Sequence, residues 1–173
     1  VVFSGTHEGT QGLEQLIVAW RRLGLSDWEL HLAGSGPLTP ILKEMSKGDD
    51  RIVFRGVLNR QENARLLCQA RIGMNPQDIT KVPGSVFAFK IVEYLAAGLH
   101  VITTPRGALE PELEQGVSYI SNNTPEAIAT MLNSAIRERR FMQDAQDAAF
   151  RSYGPMVVAR SLDHLVTQAA GSK

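Results

Sequence analysis

Glycine recurs where short apolar runs end. Gly5-Thr6, with Gln11-Gly12 close behind, follows the first such run, Gly34-Ser35-Gly36-Pro37 the second and Arg55-Gly56 the third, while Asn75-Pro76 and Pro105-Arg106-Gly107 follow later ones. A residue without a Cβ lets backbone amides approach a ligand closely, and the N-terminus of a following helix favours anions. One such turn is a weak signal, because a tight strand-to-helix connection needs glycine on steric grounds alone. Several at one end of a sheet point to a phosphorylated ligand. His7, beside the first turn, reads foremost as a solvated loop residue, although it has access to such a ligand; His31, between Leu30 and Leu32, reads as a packed core histidine.

Other chemistries find no support in the spacing. The dinucleotide fingerprint fails, since Gly34 and Gly36 are followed by Thr39 at the third glycine position and follow the second strand rather than the first. There is no P-loop, no His-Glu-x-x-His, no paired-cysteine or calcium-loop pattern, and the histidines His7, His31, His100 and His164 are scattered, so no protein-bound metal or other cofactor is expected. A serine hydrolase would want Gly-x-Ser-x-Gly, and Gly34-Ser35-Gly36 has the wrong frame. The single cysteine, Cys68, excludes an internal disulfide and reads as a small buried side chain in a reducing compartment.

The elements that must carry these turns alternate between short apolar runs and longer amphipathic stretches, the pattern of parallel strands joined by crossover helices. Strands are expected at residues 1–4, 29–33, 52–54, 72–75, 101–104 and 117–120. Leu13, Leu16, Ile17, Trp20 and Leu23 follow helical spacing, and a second helix fits residues 37–45. Asn59 with Glu62 forms a capping-box pattern that starts a helix ending near Ala70, with Ala64, Leu67 and Cys68 facing inward. Residues 89–97 form a helix stopped by Gly98. Thr124-Pro125 begins another, with Ile128, Met131, Leu132 and Ala135 on one face, and Pro155 opens a last one. The loop 77–85, with Asp78, Lys81, Pro83 and Gly84, lacks apolar periodicity and is expected to be mobile and near a ligand. The sum is an α/β, Rossmann-like three-layer sandwich around a six-stranded parallel sheet.

With 173 residues, 43% hydrophobic and 21% charged, the chain suits one folded domain, 1–173. Lys plus Arg (18) balances Asp plus Glu (18), which gives no general attraction to nucleic acid or anionic membranes. No apolar run approaches the roughly 20 residues of a membrane-spanning helix, and no signal-peptide pattern opens the chain, so a cytoplasmic protein without a transmembrane segment is expected. It opens directly in a strand-like run, Val1-Val2-Phe3, without Met, and reads as a piece of something longer.

The run from Phe87 to Gly98, Phe-Ala-Phe-Lys-Ile-Val-Glu-Tyr-Leu-Ala-Ala-Gly, followed by Val101-Ile102-Thr103-Thr104-Pro105, resembles the donor-site helix of GT-B glycosyltransferases of the large group 1 (family 4-like) class. Phe3-Ser4-Gly5-Thr6 with Gln11-Gly12-Leu13, Leu32-Ala33-Gly34-Ser35-Gly36-Pro37, and Ile52-Val53-Phe54-Arg55-Gly56 resemble its other blocks in the same order. The resemblance covers essentially the whole chain and only the C-terminal half of such enzymes. It implies a lobe that holds a nucleotide diphosphate sugar, facing an N-terminal acceptor lobe absent from this chain, with transfer that retains anomeric configuration. Glu93 matches the family glutamate that accepts hydrogen bonds from the ribose hydroxyls, a role suited to a carboxylate. Gly5, Thr6, Gln11, Gly34, Gly36, Arg55, Gly56, Phe87, Ala88 and Glu93 are the implied donor-binding set.

The chain departs from the family pattern at three positions. Ser85 stands where many relatives have a second glutamate, and Thr6 and Gln11 stand where an Arg and a Lys often neutralise the diphosphate. Losing one preorganised partner of a departing diphosphate costs on the order of 3 kcal/mol of barrier. Lys90, Lys81 and Arg55 are the candidates to compensate, Lys90 foremost, so Lys90 and Ser85 are the candidate catalytic residues. The expected function is the donor half of a retaining glycosyltransferase in polysaccharide, lipopolysaccharide or glycolipid assembly, inactive as an isolated domain, acting on a saccharide or lipid-linked acceptor. Any association with the inner membrane would reside in the missing half. Two alternatives stay open: a sugar-nucleotide epimerase resembling the UDP-N-acetylglucosamine 2-epimerases, and a nucleotide-binding or scaffold module that has lost catalysis.

Overall fold

A computed structural model describes residues 1–81, 88–105, 109, 111–138 and 143–153. Its described strands are β1 (Val2–Ser4), β2 (Leu30–Ala33), β3 (Ile52–Gly56), β4 (Ile72–Asn75), β5 (His100–Thr103) and β6 (Val117–Tyr119). All neighbouring pairs are parallel, in the order β3-β2-β1-β4-β5-β6. Register is set by pairs such as Phe3 with Leu32, Val2 with Gly73 and Met74 with Ile102. The chain order therefore reverses direction between β1 and β4, which opens a crevice beyond their carboxyl ends.

Alternation along each strand divides the core between two faces. On one, Phe3, Leu30, Leu32, Met74 and Ile102 pack with Leu13, Leu16, Ile17 and Trp20 of α1 (Leu13–Leu23), Leu42 of α2 (Thr39–Met45) and Ile128 and Leu132 of α6 (Pro125–Glu138). On the other, Val2, Ala33 and Val101 pack with Leu66 and Leu67 of α3 (Arg60–Gln69), Ile91, Tyr94 and Leu95 of α4 (Phe89–Ala96), Leu113 of α5 (Pro111–Glu114) and Ala148 and Ala149 of α7 (Gln143–Tyr153). The result is the expected three-layer sandwich. Each fully buried Leu or Ile contributes about 1.5–3 kcal/mol by leaving water, so both layers are needed to offset chain entropy.

Local signals place most boundaries. The Asn59 side chain accepts from the Glu62 amide at 3.0 Å while Glu62 Oε2 accepts from the Asn59 amide at 2.9 Å, a complete capping box. Thr124 Oγ1 accepts from the Ala127 amide at 3.3 Å ahead of Pro125. Helix α4 closes on Gly98, whose φ of 79° is left-handed and whose amide reaches the Leu95 carbonyl at 2.8 Å.

Three expectations are corrected. In α3 the inward stripe is Asn63, Leu66, Leu67 and Ala70, whereas Ala64 and Cys68 are exposed. That stripe follows i, i+3, i+4, i+7, and Ala64 and Cys68 lie one residue, about 100°, off it. His7 is fully buried rather than solvated, with Thr39 Oγ1 2.9 Å from its Nδ1 and its ring between Phe3 and Phe54. His31 is half-buried rather than packed in the core; its ring nitrogens meet Glu29 Oε2 at 2.8 Å and the Arg55 Nε donor at 2.9 Å. Helices α5 and α7 were not anticipated, and the helix expected from Pro155 lies outside the described residues.

Candidate functional site

The loops at the carboxyl ends of β1, β2 and β3, beside the crevice between β1 and β4, are joined by close backbone approach. Gly5 leaves β1 with its amide on the Ala33 carbonyl at 3.1 Å, and Gly34 leaves β2 with its amide on the Gly56 carbonyl at 2.7 Å. A Cβ on Gly34 would overlap the Gly5 carbonyl oxygen, and one on Gly36 would stand 2.6 Å from the His7 carbonyl oxygen. Gly12, which precedes α1 with φ of 68°, is pressed against the Pro76 carbonyl in the same way. These glycines are required by the neighbouring loop, whatever ligand lies above them.

Buried polar groups hold the loops in place. Thr39 Oγ1 takes the Gly36 amide at 2.9 Å as well as facing His7, which ties the second glycine turn to the first. Burial pushes the His7 imidazole below its usual pKa, more than the Ala33 carbonyl raises it. The Tyr94 hydroxyl of α4 accepts from the Ser4 amide at 2.8 Å, and burial raises its pKa further above the usual range. Across the crevice, the Asp78 amide donates to the Thr10 carbonyl at 2.9 Å; on its far side, between the ends of β4 and β5, Asn75 Nδ2 donates to Thr103 Oγ1 at 2.9 Å and Thr104 Oγ1 to the Gln77 carbonyl at 2.9 Å.

Into this frame α4 delivers a cation. Half-buried Lys90 sits in its first turn, with Nζ 4.4 Å from the centroid of the Phe3 ring and 2.9 Å from where a Cβ on Gly5 would be. Nζ donates to Gln11 Oε1 at 2.7 Å, and Gln77 Nε2 donates to the same oxygen at 3.3 Å. Ala88, the N-cap of α4, supplies no side-chain cap, and the first turn carries no acidic residue. A lysine there opposes the helix dipole, so both the helix end and the ammonium favour an anion.

Of the implied residues, Gly5, Gln11, Ala88 and Lys90 are thus brought together at the carboxyl end of β1. Thr6 is exposed beside them, and Glu93 is exposed one turn further along α4 from Lys90. Gly34 and Gly36 form the adjacent turn. Gly56 is exposed at the end of β3, while the Arg55 side chain turns to His31 and lines a cleft shared with Val1, Glu29 and Arg71 at the amino ends of the strands. Lys81 is paired with Asp78 at 3.1 Å, in a turn where Thr80 also binds that carboxylate. Ser85 and Phe87 lie outside the described residues. Gln77 and the Phe3 ring were not singled out from the sequence; Gln77 is 66 positions from Gln11, and no local spacing announces such a contact. Among the described residues, no group of three or more His, Cys, Asp or Glu converges as a metal site would, and no helix is long and apolar enough to cross a membrane.

Sheet order and crevice define a doubly wound α/β domain, and sheets of this kind bind ligands at the point where the strand order reverses, here between β1 and β4. The chain belongs to the glycosyl transferases group 1 family, whose model matches residues 1–138. No curated protein matches it in sequence. Its fold is similar to that of Anabaena HepE, solved in complex with UDP, at TM-score 0.78 and 15% identity over 96% of this chain and 48% of HepE. It is also similar to sucrose-phosphate synthase from Thermosynechococcus elongatus, at TM-score 0.80 and 19% identity over 99% of this chain and 45% of that one. The C-terminal domain of a group 1 family glycosyl transferase from Francisella tularensis matches at TM-score 0.70 and 20% identity, over 88% of this chain and 84% of that domain. The chain spans about half the length of HepE and of the synthase.

Proposed function

We propose that this chain is the donor-binding half of a retaining glycosyltransferase, which holds a nucleotide diphosphate sugar while a second lobe presents a saccharide or lipid-linked acceptor. The observation that carries this reading is the Lys90 ammonium beside Gly5, in the first turn of α4 and over the β1–β4 crevice. A diphosphate there meets a point charge, a helix N-terminus and a glycine turn open to backbone approach. Support comes from HepE, a fold relative solved with UDP-glucose.

In the reaction, the bond from the anomeric carbon to the diphosphate oxygen breaks while the acceptor hydroxyl oxygen bonds that carbon, and the hydroxyl proton passes to the departing diphosphate. Negative charge grows on the leaving diphosphate, where Lys90 and the α4 N-terminus stabilise it. Glu93 accepts from the ribose hydroxyls, and closure of the two lobes brings donor and acceptor into attack geometry. No protein-bound metal takes part. The whole enzyme works in cytoplasmic polysaccharide or glycolipid assembly, with any contact to the inner membrane made by the other lobe.

Isothermal titration of the domain with UDP, GDP, ADP and CMP, repeated with Glu93→Ala, tests the reading. Binding to one base that the substitution weakens by about 1.5–3 kcal/mol, the range for a hydrogen bond to a charged group, supports it. No binding of any of the four to the folded domain overturns it.

A further inference from the structure

The chain lacks a cation at residue 11, and the structure shows what replaces it. Gln11 is 8% exposed, and its amide oxygen receives two donors from distant parts of the chain, Lys90 Nζ at 2.7 Å and Gln77 Nε2 at 3.3 Å. Two donors on one oxygen fix which way the amide points, because the reverse orientation would set its NH2 against an ammonium that has only donors. The three residues come from the loop before α1, the segment after β4 and the first turn of α4, so they bridge the crevice from both sides. Asp78 N on the Thr10 carbonyl and Thr104 Oγ1 on the Gln77 carbonyl hold the backbones that carry Gln11 and Gln77.

A neutral acceptor at residue 11 is the electrostatically consistent partner for this lysine. A second ammonium would repel the first at close range, and a carboxylate would neutralise it and repel a diphosphate. An amide orients the cation without adding a charge of its own.

We propose that Gln11 is a positioning residue for Lys90: its amide oxygen, aimed by Gln77, fixes the α4 ammonium beside Gly5, so that the charge serving the diphosphate comes from α4 instead of from the β1–α1 loop. This rests on the donor-site reading above. It makes the two positions exchangeable in charge, which a merely structural contact would not.

The test titrates whichever of UDP, GDP and ADP binds the wild-type chain into Lys90→Gln, Gln11→Met, Gln11→Glu and the exchange Gln11→Lys with Lys90→Gln, with thermal melts to verify that each is folded. Lys90→Gln is expected to weaken binding on the order of 10- to 100-fold, the span of a lost charged hydrogen bond. The exchange is expected to recover most of that loss. Gln11→Met, which keeps the length but removes the acceptor, is expected to weaken binding about 3- to 10-fold, and Gln11→Glu to weaken it at least as much as Lys90→Gln. An exchange no better than Lys90→Gln alone, or undiminished binding by Gln11→Met, overturns the proposal; if the exchange does not fold, the two single Gln11 variants decide. Absence of binding by the wild type fails the donor reading itself, an outcome distinct from tight wild-type binding with a failed exchange.

Discussion

Gly34 and Gly5 touch backbone to backbone: a Cβ on Gly34 would overlap the Gly5 carbonyl oxygen and stand 2.9 Å from its carbonyl carbon. The φ of 117° at Gly34 is also one that side-chain-bearing residues rarely adopt. Gly34→Ala should therefore cost both conformational strain and displacement of the first glycine turn. Gly48 offers a control, since its φ of 77° is left-handed but nothing lies within 4 Å of a Cβ there. In urea unfolding, Gly48→Ala is expected to lose about 1–2 kcal/mol and Gly34→Ala about 1–3 kcal/mol more, the added cost of overpacking. Equal losses would mean that the contact with Gly5 yields freely.

Tyr94 links α4 to the end of β1. Its buried hydroxyl accepts from the Ser4 amide at 2.8 Å, and Ser4 directly precedes Gly5. Tyr94→Phe keeps the ring against Gly73 and leaves the Ser4 amide without that acceptor. A loss of about 1–3 kcal/mol is expected, the cost of an unsatisfied buried donor. Faster amide exchange at Ser4, measured by hydrogen exchange, would localise the effect; unchanged exchange there would dissociate the hydroxyl from the β1 end.

The strands were legible in the sequence because each is a short apolar run ended by glycine, proline or a polar turn, and caps such as Asn59 with Glu62 are local by nature. Burial of His7 was not legible. It requires Phe3, Thr39 and Phe54 to converge, and those come from three separate elements. Lys90 and Gln11 are 79 positions apart, so their contact follows from strand order and not from any spacing. Of the described side chains of helix α7, Gln-Asp-Ala-Gln-Asp-Ala-Ala-Phe-Arg-Ser-Tyr, which packs on α4 and α5, only Ala148 and Ala149 are buried, too small a stripe to stand out.

Acid should destabilise the domain before its carboxylates titrate. Burial lowers the imidazole pKa of both His7 and His31; at His31 the Glu29 carboxylate opposes the shift and Arg55 adds to it. A histidine whose folded pKa lies below its unfolded value of 6.5 binds its proton preferentially in the unfolded chain. Its stabilising contribution is complete above about pH 6.5 and is lost as pH falls from there through the folded value. The urea midpoint is expected to be lower at pH 5.5 than at pH 7.5, with a smaller difference in His7→Gln. A midpoint that is flat or rises on acidification would contradict the assignment.

The packing face of α3 makes opposite predictions for two adjacent side chains. Leu67 is 4% exposed and belongs to the cluster with Tyr94 and Val101, whereas Cys68 points outward from the same turn. Leu67→Ala removes buried methylenes and is expected to cost about 2–5 kcal/mol, and Cys68→Ser less than about 0.5 kcal/mol. The thiol supplies an independent reading of the same geometry. If the stripe is Asn63, Leu66, Leu67 and Ala70, a disulfide reagent should modify Cys68 in the native protein about as fast as in urea. Had Ala64, Leu67 and Cys68 formed the inward face, the thiol would react only after unfolding, with a rate that tracks global stability. Native-state labelling that is slow and abolished by stabilising conditions would therefore rotate the helix by one residue and remove Asn63 from its bond with Ser4 Oγ at 2.8 Å, the contact that ties α3 to the end of β1.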